Sequence, residues 1–248
     1  MSIDLWQVTI AGLLAGVIGT GLGGFIIAVW GRPSKRILSF VLGFSGGIML
    51  AIIFIDLLPE GLSIGGTTST FAGLLAGVAL LALLDFLVPH AHASGEEEQR
   101  SHFVRVSILL GLGIAMHNLP EGLAIGTGYA VSSLTGWRLM VTMMIQNIPE
   151  GMAMAGPMVA AEVPCPKCVA ITAIAGIPMG LGAFLGGIIG TVSPLTLAMS
   201  LGFAAGAMLY IVFDELIPEA QLHAEGHSGT FGAVMGVLIG MAILSYLG

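Results

Sequence analysis

The sequence predicts an all-α integral membrane protein: eight transmembrane helices in a 3+2+3 arrangement, with helices 1–3 and 6–8 as inverted repeats around helices 4 and 5. Composition is the first ground. Of 248 residues, 56% are hydrophobic and 8% charged, against roughly 25% charged in a soluble domain, so water is not the main solvent of this surface. Hydropathy is the second. Apolar stretches of roughly 20 residues, enough to cross about 30 Å of hydrocarbon, recur from end to end with brief polar breaks. The third is an internal repeat at a shift of 159 residues. Residues 1–248 make one polytopic transmembrane domain. The net charge of −7 reflects scarce Lys and Arg rather than an acidic tail and gives no sign of nucleic-acid binding. Two cysteines make no disulfide framework.

Taken in order, the spans lie near 6–30, 36–60, 67–89, 103–129, 137–161, 168–190, 194–220 and 229–247. Span 1 follows Met1-Ser2-Ile3-Asp4, which lacks the basic region of a signal peptide, as expected of an N-terminus that is translocated and retained. Its Gly21-Leu22-Gly23 and Phe25 recur in span 6 as Gly180-Leu181-Gly182 and Phe184. Span 2 carries Gly43-Phe44, Gly47, Met49-Leu50, Phe54, Leu57, Pro59 and Glu60. Span 7 repeats them as Gly202-Phe203, Gly206, Met208-Leu209, Phe213, Leu216, Pro218 and Glu219. Thr70-Phe71 and Thr230-Phe231 then open spans 3 and 8, one residue out of register. An odd number of crossings separates spans 1 and 6, so the two triplets are inverted relative to each other, as in many secondary transporters. Spans 4 and 5 form a second inverted pair between them.

Arg32, Lys35, Arg36, Arg100, Arg105 and Lys167 fall on one side of the bilayer and Arg138 alone on the other. By the positive-inside rule the six mark the cytoplasm, so both termini are extracytoplasmic and the chain is a multi-pass component of the cell (inner) membrane. Plentiful small-residue faces allow a homodimer.

Span 4 reads His117-Asn118-Leu119-Pro120-Glu121-Gly122 and span 5 reads Gln146-Asn147-Ile148-Pro149-Glu150-Gly151, one motif written twice. Positions four apart share a helix face, so His117 with Glu121, and Gln146 with Glu150, each make a two-ligand face. Two antiparallel helices then present an imidazole, an amide oxygen and two carboxylates. Each proline lacks the N–H that would bond the carbonyl four residues back, on Met116 and Ile145, and bends its helix. Such carbonyls are tolerated at membrane depth where protein, water or an ion satisfies them. Hydrogen-bonded glue between helices accounts for Asn118 and Asn147. It accounts poorly for two glutamates, each costing roughly 2.5–3.5 kcal/mol at a helix centre and needing a cation or a shared proton when they face each other. His, Glu and amide donors suit zinc, and also Fe(II), Mn(II), Cd(II) or Co(II); without a thiolate, little favours Cu(I). The expected metal is a bound substrate, with no prosthetic group.

Acids matched by the repeat lie near opposite faces: Asp56 and Glu60 at the outward end of span 2, and Asp214, Glu215 and Glu219 at the inward end of span 7. The first set is read as lining the way in and the second the way out, where His223, Glu225 and His227 follow and Asp85 of span 3 shares the exit. A cytoplasmic loop near 90–102 carries His90, His92 and His102 with Glu96, Glu97 and Glu98 and is suited to hold metal loosely. Cys165 and Cys168 are at best half of a zinc site.

The doubled motif, with its glutamine form in span 5, resembles the ZIP (Zrt/Irt-like) metal transporters and, within them, the GufA branch. The likeness spans the chain: eight helices, outward termini, a His-bearing loop after span 3, and Phe213-Asp214-Glu215-Leu216-Ile217-Pro218-Glu219 in span 7. It implies uptake of zinc or related cations toward the cytoplasm, with His117, Glu121, Gln146 and Glu150 as the primary site and Met49 as its neighbour. Members with two metals bind the second through the motif's second positions and a span-6 acid. Here those positions are Asn118 and Asn147, and span 6 offers Gly182-Ala183 instead, so one metal per site is expected.

Inverted repeats suggest alternating access about a midplane ion. Binding then releases protons from the glutamates and weakens at low pH. Three rivals stand beside this reading. An intramembrane zinc metallohydrolase needs an open metal position and a base, and the chain lacks His-Glu-x-x-His. A channel would give unsaturable flux, and an exporter differs from an importer only in direction, which rests on family resemblance.

Overall fold

The computed structural model describes residues 4–31, 34–87, 114–115, 118–160, 162–222 and 226–246, except the side chains at 84, 85, 87, 157 and 160. Every regular element among them is a helix. Helix α1, Leu5–Trp30, starts where the Asp4 carboxylate accepts the N–H groups of Trp6 and Gln7, two of the donors that a helix start leaves unpaired. Helix α2, Lys35–Ala51, starts at Ser34 in the same way, and runs through a π-helical segment, Ile52–Leu57, directly into α3, Leu58–Leu87.

The apolar stretch Lys35–Leu83 is 49 residues long, well beyond one crossing. Gly66 resolves the excess: its φ of 73° and ψ of −179° leave helical geometry at a conformation reserved for glycine. The chain folds back there, because a β-carbon on Gly61 would lie 3.0 Å from Thr70 Cγ2, nine residues on, where a straight helix would hold them about 13 Å apart. Span 2 therefore runs past the expected end at 60, to the Gly66 break.

The remaining helices are α4 at 118–131, α5 at Ser133–Ala160, α6 at Cys165–Ala175, α7 at Ile177–Gly190, α8 at Pro194–Ile211, α9 at Ile217–Leu222 and α10 at Ser228–Tyr246. A second π segment, Val212–Leu216, joins α8 to α9. Span 6, expected as one helix over 168–190, begins at Cys165 and is broken at Gly176. Pro178 offers no N–H to Ile174, and the Gly176 N–H caps the Ala173 and Ile174 carbonyls instead.

Helix α1 packs on α5, α6 and α7, while α2 packs on α10 and α3 on α8. Small residues let these backbones touch, as in membrane bundles generally. The close approaches recur at the spacing of the sequence repeat. A β-carbon on Gly43 would strike the backbone at Gly229 and Ala233, and one on Gly202 the backbone at Thr70 and Leu74. Likewise Gly23 abuts Ile148 and Met152, and Gly182 abuts Leu119 and Leu123. The pairing of α2 with α10 thus matches that of α8 with α3, and α1 with α5 matches α7 with α4.

Five helical stretches among the described residues are long and apolar enough to cross a membrane: Leu5–Trp30, Lys35–Leu83, Cys165–Gly190, Pro194–Leu222 and Ser228–Tyr246. Their outer faces expose Leu, Ile, Val and Phe, including Leu75, Leu83, Leu181, Phe213 and Leu238. Trp6, Trp30, Trp137 and Tyr246 are exposed near helix ends, the pattern of an interfacial aromatic belt. The chain is an all-helical, multi-pass membrane protein. Its interior holds a core of Ile48, Met49, Ile52, Leu57, Met143 and Met208, into which the polar residues of α4 and α5 are set.

Candidate metal site

The two motifs meet inside the bundle. Asn118, Glu121, Gln146 and Asn147 are fully buried and Glu150 is 2% exposed. Glycine explains how helices bearing such residues pack so deeply. A β-carbon on Gly122 would collide with the Met179 carbonyl of α7, and one on Gly151 with the Thr20 carbonyl of α1. Each glutamate is thus followed by the residue that seats its helix on a neighbour, and α5 runs through Pro149 without interruption.

Gln146 Nε2 donates to Glu121 Oε1 at 2.6 Å, joining α5 to α4 across the motif pair. Asn147 Nδ2 donates to Asn118 Oδ1 at 3.2 Å and to the Met179 sulfur at 3.7 Å. Asn118 Nδ2 donates in turn to the carbonyls of Ile114 and Ala175, both at 3.0 Å. The asparagines therefore brace α4, α5 and the α6–α7 junction, with both polar atoms of Asn118 committed. Ser45 of α2 donates to Glu150 Oε1 at 3.2 Å and to the Gln146 carbonyl at 3.3 Å. Met49, one turn along the same face of α2, is fully buried.

In this cluster the oxygens Glu121 Oε2, Gln146 Oε1 and Asn147 Oδ1 are buried with no hydrogen-bond donor among the described residues. A polar atom left unpaired in hydrocarbon costs several kcal/mol. Glu121 and Glu150 also lie close enough for their charges to repel. Oxygen acceptors and two facing carboxylates call for a cation or a shared proton, and carboxylate and amide oxygens are fitting donors for zinc and its neighbours.

Other expected site residues are placed elsewhere or lie outside the described residues. His117, His90, His92, His102 and His223 lie outside, as does the Asp85 side chain. Asp56 sits in the first π segment and pairs with Arg138 of α5 at 3.3 Å, and Glu60 follows one turn on. Asp214 and Glu215 occupy the second π segment, Glu219 lies in α9, and His227 precedes α10; all four are exposed. Ser45, Met179 and Arg138 are additions that the sequence did not single out for the site. Ser45 and Met179 have no like residue at the repeat positions, Ala204 and Thr20, and so carried no signal.

Comparison with known proteins identifies the family. The profile of the family described as ZIP Zinc transporter matches residues 89–248, which include both motifs. Zinc transporter ZupT of Stenotrophomonas maltophilia is 31% identical over 252 residues, covering 94% of this chain and 93% of its own. Zinc transporter ZupT of Salmonella newport is 34% identical over 236 residues, covering 92% and 91%, and that of Salmonella heidelberg matches to the same extent. With a family profile over most of its length, relatives matched almost end to end, and the doubled motif buried face to face, the chain belongs to the ZIP zinc transporter family, a family of transporters rather than enzymes.

Proposed function

We propose that this chain carries divalent transition-metal ions, zinc first among them, across the bilayer by alternating access at the α4–α5 site. The observation that carries the reading is the pair of buried glutamates with oxygens beside them that have no donor among the described residues, inside a bundle of membrane-length apolar helices. Glu121, Gln146 and Glu150 bind the ion together with His117, and Met49 lies beside it. Asn118 and Asn147 hold the helices around it, with Asn147 Oδ1 in reserve. The names of the relatives support zinc as cargo; iron, manganese, cadmium and cobalt suit the same donors.

The architecture we assign is eight transmembrane helices in a 3+2+3 order: α1, α2 and α3, then α4 and α5, then α6–α7, α8–α9 and α10. The matching glycine contacts and the two π segments at repeat-related positions support inverted repeats. Both termini are extracytoplasmic, the membrane is the inner membrane, and transport runs toward the cytoplasm.

The test is radiolabelled zinc uptake into proteoliposomes, wild type beside Glu121→Ala and Glu150→Ala, with iron, manganese and cadmium as competitors. Saturable uptake abolished by either change is expected. Uptake indifferent to both would reduce the motif to helix glue.

A further inference from the structure

Arg138 Nη2 meets Asp56 Oδ1 at 3.3 Å, joining α5 to the π segment after α2. Asp56 is 8% exposed. Its Oδ2 and the Arg138 Nε are buried with no hydrogen-bond partner among the described residues. A buried ion pair braces a structure when its remaining lone pairs and protons are satisfied. Among the described residues this pair leaves one of each unsatisfied, so it is poorly made as a brace and well made for exchange.

Two rulers locate it. Along α5, Arg138 precedes Glu150 by twelve residues, about 18 Å of helix; along α2 and its extension, Asp56 follows Ser45, which touches Glu150, by eleven residues, about 17 Å. Half the hydrocarbon thickness is about 15 Å. Both rulers carry the pair from the buried site to the depth of one water interface, where Trp137 is exposed beside Arg138.

Charge suggests the exchange partner. Glu60 stands near enough to Asp56 for their charges to interact. Two carboxylates against one guanidinium leave a net negative charge that a divalent cation in the guanidinium's place would cancel.

We infer that Asp56 and Glu60 form an outer station for a divalent metal ion and that Arg138 is a tethered counter-cation occupying it, displaced by the arriving ion. This rests on the transport reading above and adds a step before the buried site. Arg138 is then a competitor of the cargo, and removing it eases capture.

The experiment has two arms. Zinc uptake in proteoliposomes compares wild type, Arg138→Gln, Arg138→Lys, Asp56→Asn and the Arg138→Gln/Asp56→Asn double variant. Arg138→Gln is expected to lower KM at least threefold with kcat little changed, Arg138→Lys to stay within twofold of wild type, and Asp56→Asn to raise KM at least threefold. The double variant should match Asp56→Asn, since Arg138 acts through Asp56. A higher KM for Arg138→Gln, or an Arg138→Gln chain that fails to fold while Arg138→Lys behaves as wild type, would identify a structural brace and overturn the inference. In the second arm, zinc titration calorimetry on a Glu121→Ala background reads the outer station without transport. Weak binding that Asp56→Asn removes and Arg138→Gln tightens supports the station even if wild-type uptake fails; no Asp56-dependent binding there overturns it.

Discussion

Replacing Glu121 with glutamine keeps the shape of the side chain and removes its charge, so its effects separate a ligand from glue. Glu121 accepts from Gln146 at 2.6 Å, leaves Oε2 buried without a donor among the described residues and faces the charge of Glu150. Glutamine relieves the repulsion and still accepts that bond through its carbonyl oxygen, so the unliganded protein should melt no lower than wild type. With zinc the sign reverses. A ligand at 100 times its Kd stabilises by about 2.7 kcal/mol, and a chain of this size shifts its midpoint by about 2–4 °C per kcal/mol, so wild type should gain about 5–11 °C. Even outer partners of a metal site are worth about 10–100-fold in affinity. At a 100-fold loss the same zinc concentration stabilises Glu121→Gln by about 0.4 kcal/mol, or about 1–2 °C. Thermal unfolding in detergent with and without zinc measures both quantities. An unliganded midpoint lowered by more than about 3 °C, with the zinc-induced shift intact, would refute the reasoning.

Other outcomes follow from the same geometry. Gly151→Ala drives a methyl group into the Thr20 carbonyl and should cost about 1–3 kcal/mol by overpacking; Gly156→Ala, with nothing within 4 Å of the new atom, should leave the melting temperature unchanged. Protons compete with metal for the glutamates, so zinc affinity by titration calorimetry should rise from pH 5 to pH 8, and a flat profile would contradict carboxylate ligation. Anomalous diffraction from a zinc-soaked crystal should place one metal between α4 and α5. A second ion would lack its span-6 acid, because a side chain on Gly182 has no room beside the Leu119 carbonyl and Ala183 offers only a methyl group.

Much of this was legible in the sequence, for physical reasons that differ by element. Glu121, Gln146 and Glu150 stood out because charges and amides are costly in hydrocarbon and because the motif occurs twice. The matched glycines marked the repeat because close backbone approach constrains residue identity, but which helices they seat, α2 on α10 and α8 on α3, is visible only in the structure. The π segments were hidden: 52–57 and 212–216 read as ordinary helix, and the extra residue per turn becomes visible only in the hydrogen-bond ladder. Ser45 was hidden because a lone serine in an apolar helix usually bonds its own backbone. Arg138 was read only as a marker of sidedness, since no local pattern links it to an aspartate 82 residues away. The Gly176 break was missed because hydropathy is blind to a proline two residues on.

Thr20 and Met179 present the carbonyls on which Gly151 and Gly122 rest. Glutamate and glycine are adjacent in both motifs, so the separation of the two carboxylates is gauged by contacts on the outer sides of α5 and α4. Divalent ions differ in preferred ligand distance by only tenths of an ångström. A change of packing in α1 or α7 that shifts either helix by that amount retunes which ion fits, without altering a single ligand. Relatives with identical ligands can differ in metal preference on this account, and the residues to compare between them are those lining the α1–α5 and α4–α7 seams.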